Sequence, residues 1–185
     1  DAPVVSIVSR LVGHKGTDLV VQALDGIVEC GCQLLVLGQG ETHYENAFRE
    51  AQARWPGRVS AQITYSDGLA RRVYAGSDLL LMPSRSEPCG LSQMIAMRYG
   101  TVPIVRSTGG LRDTVLPPES AEGCGFVFEQ YDAYHLLCEV RRAAQMLRQA
   151  PDEFAALRRR GMTKDFSWDA SAREYLRIYE SISGR

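Results

Sequence analysis

Val4-Val5-Ser6-Ile7-Val8-Ser9-Arg10-Leu11-Val12-Gly13-His14-Lys15-Gly16 passes into the helix-length segment Asp18–Glu29, with Thr17 placed to cap it. Val4–Ser9 is short, mostly apolar and rich in β-branched side chains, the composition of a strand covered on both faces. The glycines after it end the strand before a helical spacing takes over. A buried strand that hands over to a helix is the opening unit of a parallel sheet.

The same pattern recurs along the chain. Gln33–Leu37, Val59–Thr64, Leu79–Met82 and Val102–Val105 read as further strands, and Tyr44–Arg54, Gly68–Ala75 and Leu91–Tyr99 as helices between them. The expected fold is α/β: an open, mostly parallel, doubly wound Rossmann-like sheet with helices on both faces and right-handed crossovers. After Val105 the alternation fades. Ser107–Ser120, with Gly109-Gly110 and Pro117-Pro118, reads as loop, and Gly125–Phe128 as one edge strand. Ala133–Gln149, Asp152–Arg160 and Asp169–Ile182 read as closing helices, with Arg158-Arg159-Arg160 on a solvated face.

The 185 residues fit one domain, and 45% hydrophobic residues give it a core. Lys and Arg number 21 against 22 Asp and Glu, so the net charge of -1 offers no global field toward nucleic acid or an anionic membrane. An anion site must therefore be local. No apolar run approaches the roughly 20 residues that span a bilayer. Five cysteines, of which Cys30-Gly31-Cys32 is the only close pair, read as reduced thiols of a cytoplasmic protein. His14, His43 and His135 lack the spacing of a metal site, so no metal is expected. Asp1-Ala2-Pro3 runs straight into the first strand without a start Met, as in a piece of a longer protein.

In an open parallel sheet, ligands sit beyond the carboxyl ends of the strands. Arg10 and Lys15, with Gly13 and Gly16, follow the first strand and can wrap a phosphate, although a solvated loop has the same composition. Gly38-Gln39-Gly40-Glu41-Thr42-His43 imitates the start of a dinucleotide fingerprint, but His43 stands where a third small residue belongs. A tight turn beside a ligand fits better than NAD binding.

Pro83-Ser84-Arg85-Ser86-Glu87-Pro88-Cys89-Gly90-Leu91-Ser92-Gln93 follows a wholly apolar strand. Its helix starts near Leu91 and aims free N–H groups at the mouth of the sheet, where a diphosphate fits. Glu87, just before that anion site, points to a sugar hydroxyl or a developing positive charge; by residue type alone Cys89 reads as a small core filler. Arg106-Ser107-Thr108-Gly109-Gly110-Leu111 offers a glycine pair whose amides can face a ligand or merely connect elements. Tyr65 can stack on a base or pack.

Taken in order, these segments resemble the C-terminal domain of bacterial glycogen synthases and plant starch synthases, members of the GT-B glycosyltransferases. The resemblance rests on Ser9-Arg10-Leu11 with Lys15-Gly16, Pro83-Ser84-Arg85 with Glu87-Pro88-Cys89-Gly90-Leu91, Tyr99-Gly100-Thr101-Val102-Pro103, and Thr108-Gly109-Gly110-Leu111 with Asp113-Thr114-Val115. Many related transferases carry a second Glu eight residues after the first. Here that position is Ile95, as expected of the glycogen and starch synthase branch.

The resemblance implies half of a two-domain retaining enzyme that passes glucose from ADP-glucose to the non-reducing end of an α-1,4-glucan, without a cofactor. Residues 1–165 would hold the nucleotide sugar, and 166–185 a helix packing across to an N-terminal domain that supplies acceptor contacts. Arg10 and Lys15 would stabilise the leaving diphosphate, Glu87 would sit beside the glucose, and Tyr65 would stack on adenine. Further substrate contacts are implied at Gly16, Gly38, Gly40, Cys89, Gly90, Leu91, Ser92, Thr108, Gly109 and Gly110. The competing readings are a GT-B transferase using UDP-glucose or another sugar nucleotide, and a non-catalytic nucleotide-binding lobe.

Overall fold

A computed structural model describes residues 2–184; Asp1 and Arg185, the outer ends of the two expected units, lie outside them. The strands are β1 (Val4–Val8), β2 (Gln33–Leu37), β3 (Val59–Gln62), β4 (Leu79–Met82), β5 (Val102–Arg106) and β6 (Phe126–Phe128). The helices are α1 (Thr17–Glu29), α2 (Thr42–Arg54), α3 (Asp67–Gly76), α4 (Ser92–Tyr99), α5 (Gly109–Thr114), α6 (Ala133–Gln149), α7 (Pro151–Thr163) and α8 (Trp168–Ser183).

All pairings are parallel, in the order β3-β2-β1-β4-β5-β6. The chain winds outward from β1 to β3, then returns to β1's other side and winds outward again. The winding reverses between β1 and β4, which opens a crevice beyond their carboxyl ends. Register keeps the central strands level: Val4 pairs with Gln33 and Val8 with Leu37, while Val5 sits beside Leu79.

The strands are apolar because both faces are covered. One face carries the main core, with Val5, Ile7, Leu34, Val36, Leu79 and Ile104 packed against α1, α2 and α6. Leu80 faces the other way and packs with Tyr74 of α3 and Ala96 of α4. Leu80 is wholly buried, a burial that stabilises by about 1.5–3 kcal/mol. Polar side chains are tolerated inside where they bond carbonyls. Ser6 donates to Leu79 O at 3.2 Å, and Thr101 donates to Tyr74 O and Ser77 O.

Four expectations change. Gly16, at φ +76°, is the N-cap of α1, and Thr17 is the first helical residue; its hydroxyl donates to Val12 O instead of capping. The segment expected as loop, Ser107–Ser120, contains helix α5. Thr108 precedes that helix in extended backbone and Val115 follows it, and the helix is anchored by the buried Leu111 and Val115 of a satellite core. The strand expected over Val59–Thr64 ends at Gln62, because Thr64 turns its N–H back to Gln62 O. The arginine triplet is not a solvated face. Arg158 bonds Asp78, whose other oxygen accepts the Val4 N–H, and Arg160 donates to Gly123 O, leaving Arg159 exposed.

α8 has no buried residue among those described, and Trp168, Tyr175, Tyr179 and Ile182 form an exposed apolar stripe along it. Among the described residues no helix is long and apolar enough to cross a membrane.

Candidate functional site

The crevice at the reversal point holds two adjoining hollows. The smaller, about 310 Å³, is lined by Arg10 and Lys15 from the β1 loop and by Ser84, Glu87, Gly90, Leu91 and Ser92 from the β4 loop. The larger, about 750 Å³, runs from Arg10 past Gly38 and Gly40 to Tyr65, Tyr74, Tyr99 and Ser92. Val8, Ser9, Arg10 and Ser92 border both, so one extended ligand can occupy them together.

The chemistry of the smaller hollow comes from residues far apart in sequence. Lys15 Nζ donates to Glu87 Oε2 at 2.7 Å, and Ser84 Oγ donates to the same oxygen at 3.0 Å. Glu87 is 6% exposed and so lies inside the protein surface. A charge that deep persists because a cation and a hydroxyl meet it. Both bonds fall on Oε2, which leaves Oε1 for a substrate. Opposite them α4 begins at Ser92, one residue after the expected Leu91; its first-turn amides have no carbonyl to bond within the helix and form the positive end of its dipole.

Arg10 stands exposed at the mouth between the hollows. Lys15 and the α4 amides therefore occupy the floor, and Arg10 the rim. An anion that enters meets positive groups on three sides, with a single carboxylate at its edge.

Tyr65 walls the larger hollow. Its ring is 81% exposed, so it covers nothing in the protein and stays free to stack on a flat ligand. Its hydroxyl donates to Asp67 Oδ1 at 3.1 Å, and that bond to a carboxylate raises the phenol above the usual tyrosine range. Tyr74 is raised too, by burial, and its ring lies 6.3 Å from that of Tyr99.

Several of the expected residues also have a backbone role. A Cβ on Gly38 would fall 1.8 Å from Ser9 O, one on Gly40 2.0 Å from Leu11 O, and one on Gly16 2.1 Å from Pro83 O. These glycines let three loops run in contact, and Leu11 N–H bonds Gln39 O where they meet. Gly110 gives its N–H to Glu87 O at 3.0 Å, so that amide does not face a ligand. Gly109 and Gly110 lie so close beneath the β4 loop that a Cβ would meet Glu87 O or Cys89 O at 2.1 Å. Thr108, half-buried, stands beside them and lines neither hollow. Cys89 is exposed instead of filling core, and it lies outside both hollows.

Three positioning groups carried no signal of their own. Ser84 and Gln93 stand in the quoted β4 segment, but only the fold shows Ser84 on Glu87 and the fully buried Gln93 donating to Gly90 O at 2.8 Å and Thr114 Oγ1 at 3.1 Å. Tyr131 holds the β1 loop from the opposite side. Its hydroxyl bonds Asp18 at 2.6 Å and Gly13 O at 3.2 Å, and the Arg85 guanidinium lies 4.4 Å from its ring centre.

Residues 1–153 match the family described as glycosyl transferases group 1. The glycogen synthases of Desulfitobacterium hafniense and Kosmotoga olearia are 47% and 49% identical to this chain over 98% and 100% of it. The match covers 39% and 40% of those proteins, so the chain spans about two fifths of the length of these curated relatives. The catalytic domain of starch synthase IV from Arabidopsis thaliana, bound to ADP and acarbose, superposes with a TM-score of 0.89 at 34% identity. That superposition covers 100% of this chain and 39% of that one. Anabaena HepE in complex with UDP-glucose, 19% identical with a TM-score of 0.72 over 100% of this chain and 50% of its own, shares the fold.

Proposed function

The chain belongs to the glycosyl transferases group 1, its sheet being the Rossmann-like half of a GT-B fold, and from that premise we propose that it holds the sugar nucleotide in a glycogen or starch synthase. The reaction is transfer of glucose from ADP-glucose to the non-reducing end of an α-1,4-glucan in the cytoplasm, with retention at the anomeric carbon. The observation that carries this reading is the hollow where Lys15 and Glu87 meet beside the start of α4, continuous with the one walled by Tyr65.

On this reading adenine stacks on Tyr65, and the diphosphate lies between Arg10, Lys15 and the amides of Leu91 and Ser92. Glu87 Oε1 takes a hydroxyl of the glucose beside Gly90. Gly16, Gly38, Gly40, Gly109 and Gly110 shape that site by letting the loops approach, and Thr108 stands beside the last two. Departure of the diphosphate adds negative charge to an oxygen and leaves an oxocarbenium-like sugar. A cation about 4 Å from the oxygen gains roughly 4 kcal/mol at an effective dielectric of 20. Contacts that strengthen as the bond breaks raise kcat, so Arg10 and Lys15 act on the leaving group and no metal is required for that role.

Glu87 supports the charge on the sugar and the acceptor attacks from the face the diphosphate leaves. A double displacement would instead require Glu87 as a free nucleophile, and its bonds to Lys15 and Ser84 favour a binding role. Residues 1–165 form the nucleotide-sugar unit, while 166–185 carry α8 across to a companion domain that supplies acceptor contacts. The exposed stripe through Trp168 and Ile182 supports that docking.

Glucose transfer by the full-length enzyme, followed with labelled ADP-glucose and UDP-glucose, tests the reading. Arg10→Ala and Lys15→Ala should lower kcat at least a hundredfold with ADP-glucose as the preferred donor. Wild-type kcat in both variants would end the leaving-group assignment, and preference for UDP-glucose would end the choice of donor.

A further inference from the structure

Two cysteines at the far end of the sheet from the crevice take no part in the site. Cys30 caps the carboxyl end of α1 and Cys32 stands just before β2, with Gly31 between them at φ +86°. The left-handed glycine bends the chain and brings the Cys30 and Cys32 Sγ atoms to 3.7 Å. The positive φ at position 31 is strained for any side chain, and a Cβ there would also push the tip of Arg148 aside, at 2.7 Å from Nη2.

The pair is surrounded by guanidinium groups. Arg148 from α6 donates to Cys30 O at 3.0 Å, and Arg58, just before β3, donates to Cys32 O at 3.0 Å and Val28 O at 3.1 Å. Arg141 from α6 adds positive charge facing Cys30. Access is unequal, with Cys32 wholly buried and Cys30 only half-buried. The hydrogen bond from Cys32 draws the Cys30 thiol down to about 6 against the effect of burial, helped by Arg148 and Arg141; the same bond raises Cys32. The reachable sulfur is therefore the more acidic of the two, and while it holds its proton it donates to Ile27 O at 3.1 Å.

We propose that Cys30-Gly31-Cys32 is a dithiol exchange site for small-molecule disulfides, with Cys30 the attacking thiol and Cys32 the resolving one. The Cys30 thiolate attacks one sulfur of R–S–S–R; that S–S bond breaks, R–S⁻ leaves and takes a proton from water, and Cys30 carries a mixed disulfide. Cys32 then gives up its proton and attacks the Cys30 sulfur, expelling the second R–S⁻, which collects a proton. The two protein thiols lose two electrons and the small disulfide becomes two thiols. The sulfurs must close by roughly 1.7 Å to reach the ordinary S–S length. Cys89 is exposed and Cys138 half-buried, yet neither has a second thiol beside it among the described residues, so exchange there stops at the mixed disulfide.

The test is incubation of the full-length protein with oxidised glutathione, followed by peptide mapping on a mass spectrometer. The wild-type peptide that contains Cys30 and Cys32 should lose two hydrogens and carry no glutathione. Cys32→Ser should retain one glutathione on Cys30, and Cys30→Ser should react at this peptide at least tenfold more slowly. Should Cys32→Ser fail to fold, the wild-type map alone decides. An unchanged wild-type peptide, or one that keeps glutathione, overturns the proposal. Donor binding and transfer do not enter the readout, so the result stands apart from the fate of the transfer reading.

Discussion

Replacing Lys15 by Met tests whether the crevice is held by its own charges. The Lys15 ammonium and Glu87 carboxylate are 2.7 Å apart, a gross attraction of roughly 6 kcal/mol at an effective dielectric of 20. Desolvation of both charges offsets most of it, and the side chains are 21% and 8% exposed respectively. What matters in Lys15→Met is the group left behind: a carboxylate in a nearly closed position with only the Ser84 hydroxyl on it. Breaking a buried pair from one side costs about 3–5 kcal/mol; the partial exposure of Lys15 and the open hollow beside Glu87 bring the expectation to about 2–3. Glu87→Gln costs less, because the freed ammonium can turn to solvent. The double variant Lys15→Met/Glu87→Gln should therefore be more stable than the sum of the single losses by about 1–3 kcal/mol. Urea unfolding followed by circular dichroism at pH 7, with linear extrapolation, measures all four proteins. Losses that add to within about 0.5 kcal/mol would show that the pair does not hold the β1 and β4 loops together.

Tyr65→Ala should change unfolding free energy by less than about 0.5 kcal/mol, since the ring is exposed, yet weaken ADP binding in calorimetric titration by roughly 1–3 kcal/mol; equal affinity would remove the stacking role. Gly110→Ala places a Cβ 2.1 Å from Cys89 O, and overpacking of about 1–3 kcal/mol should lower Tm by about 2–12 °C in a thermal scan. An unchanged Tm would mean that α5 does not support the β4 loop. With its thiol drawn down to about 6, Cys30 should be alkylated by iodoacetamide at nearly constant rate between pH 7 and 8 and progressively more slowly below pH 6, as protonation removes thiolate. A rate that still climbs about tenfold from pH 7 to 8 would place the thiol in its ordinary range.

Local pattern was enough for the elements and for where to look. Alternation of apolar runs with helical spacing is carried by neighbouring residues, so the six strands and most helices could be read directly, and ligand loops had to follow the strands. The same logic put Arg10, Lys15, Glu87 and the start of α4 on one side of the sheet. It failed at α5, whose six residues hold two glycines and look like a turn; the helix forms because Leu111 and its flanking Val115 reach a small buried cluster.

What a spacing pattern leaves open is partnership. Strand order follows from which edges find each other across tens of residues, and only that order sets the reversal between β1 and β4. Lys15 and Glu87 are 72 residues apart, and their bond exists because Gly16 allows the β1 loop to touch Pro83. Whether a glycine amide is offered to a ligand or given to a carbonyl is likewise invisible until the opposing backbone is in place, as Gly110 and Glu87 show. Residue types are fixed one at a time along the chain. Whether a group stays free is decided by everything that packs around it.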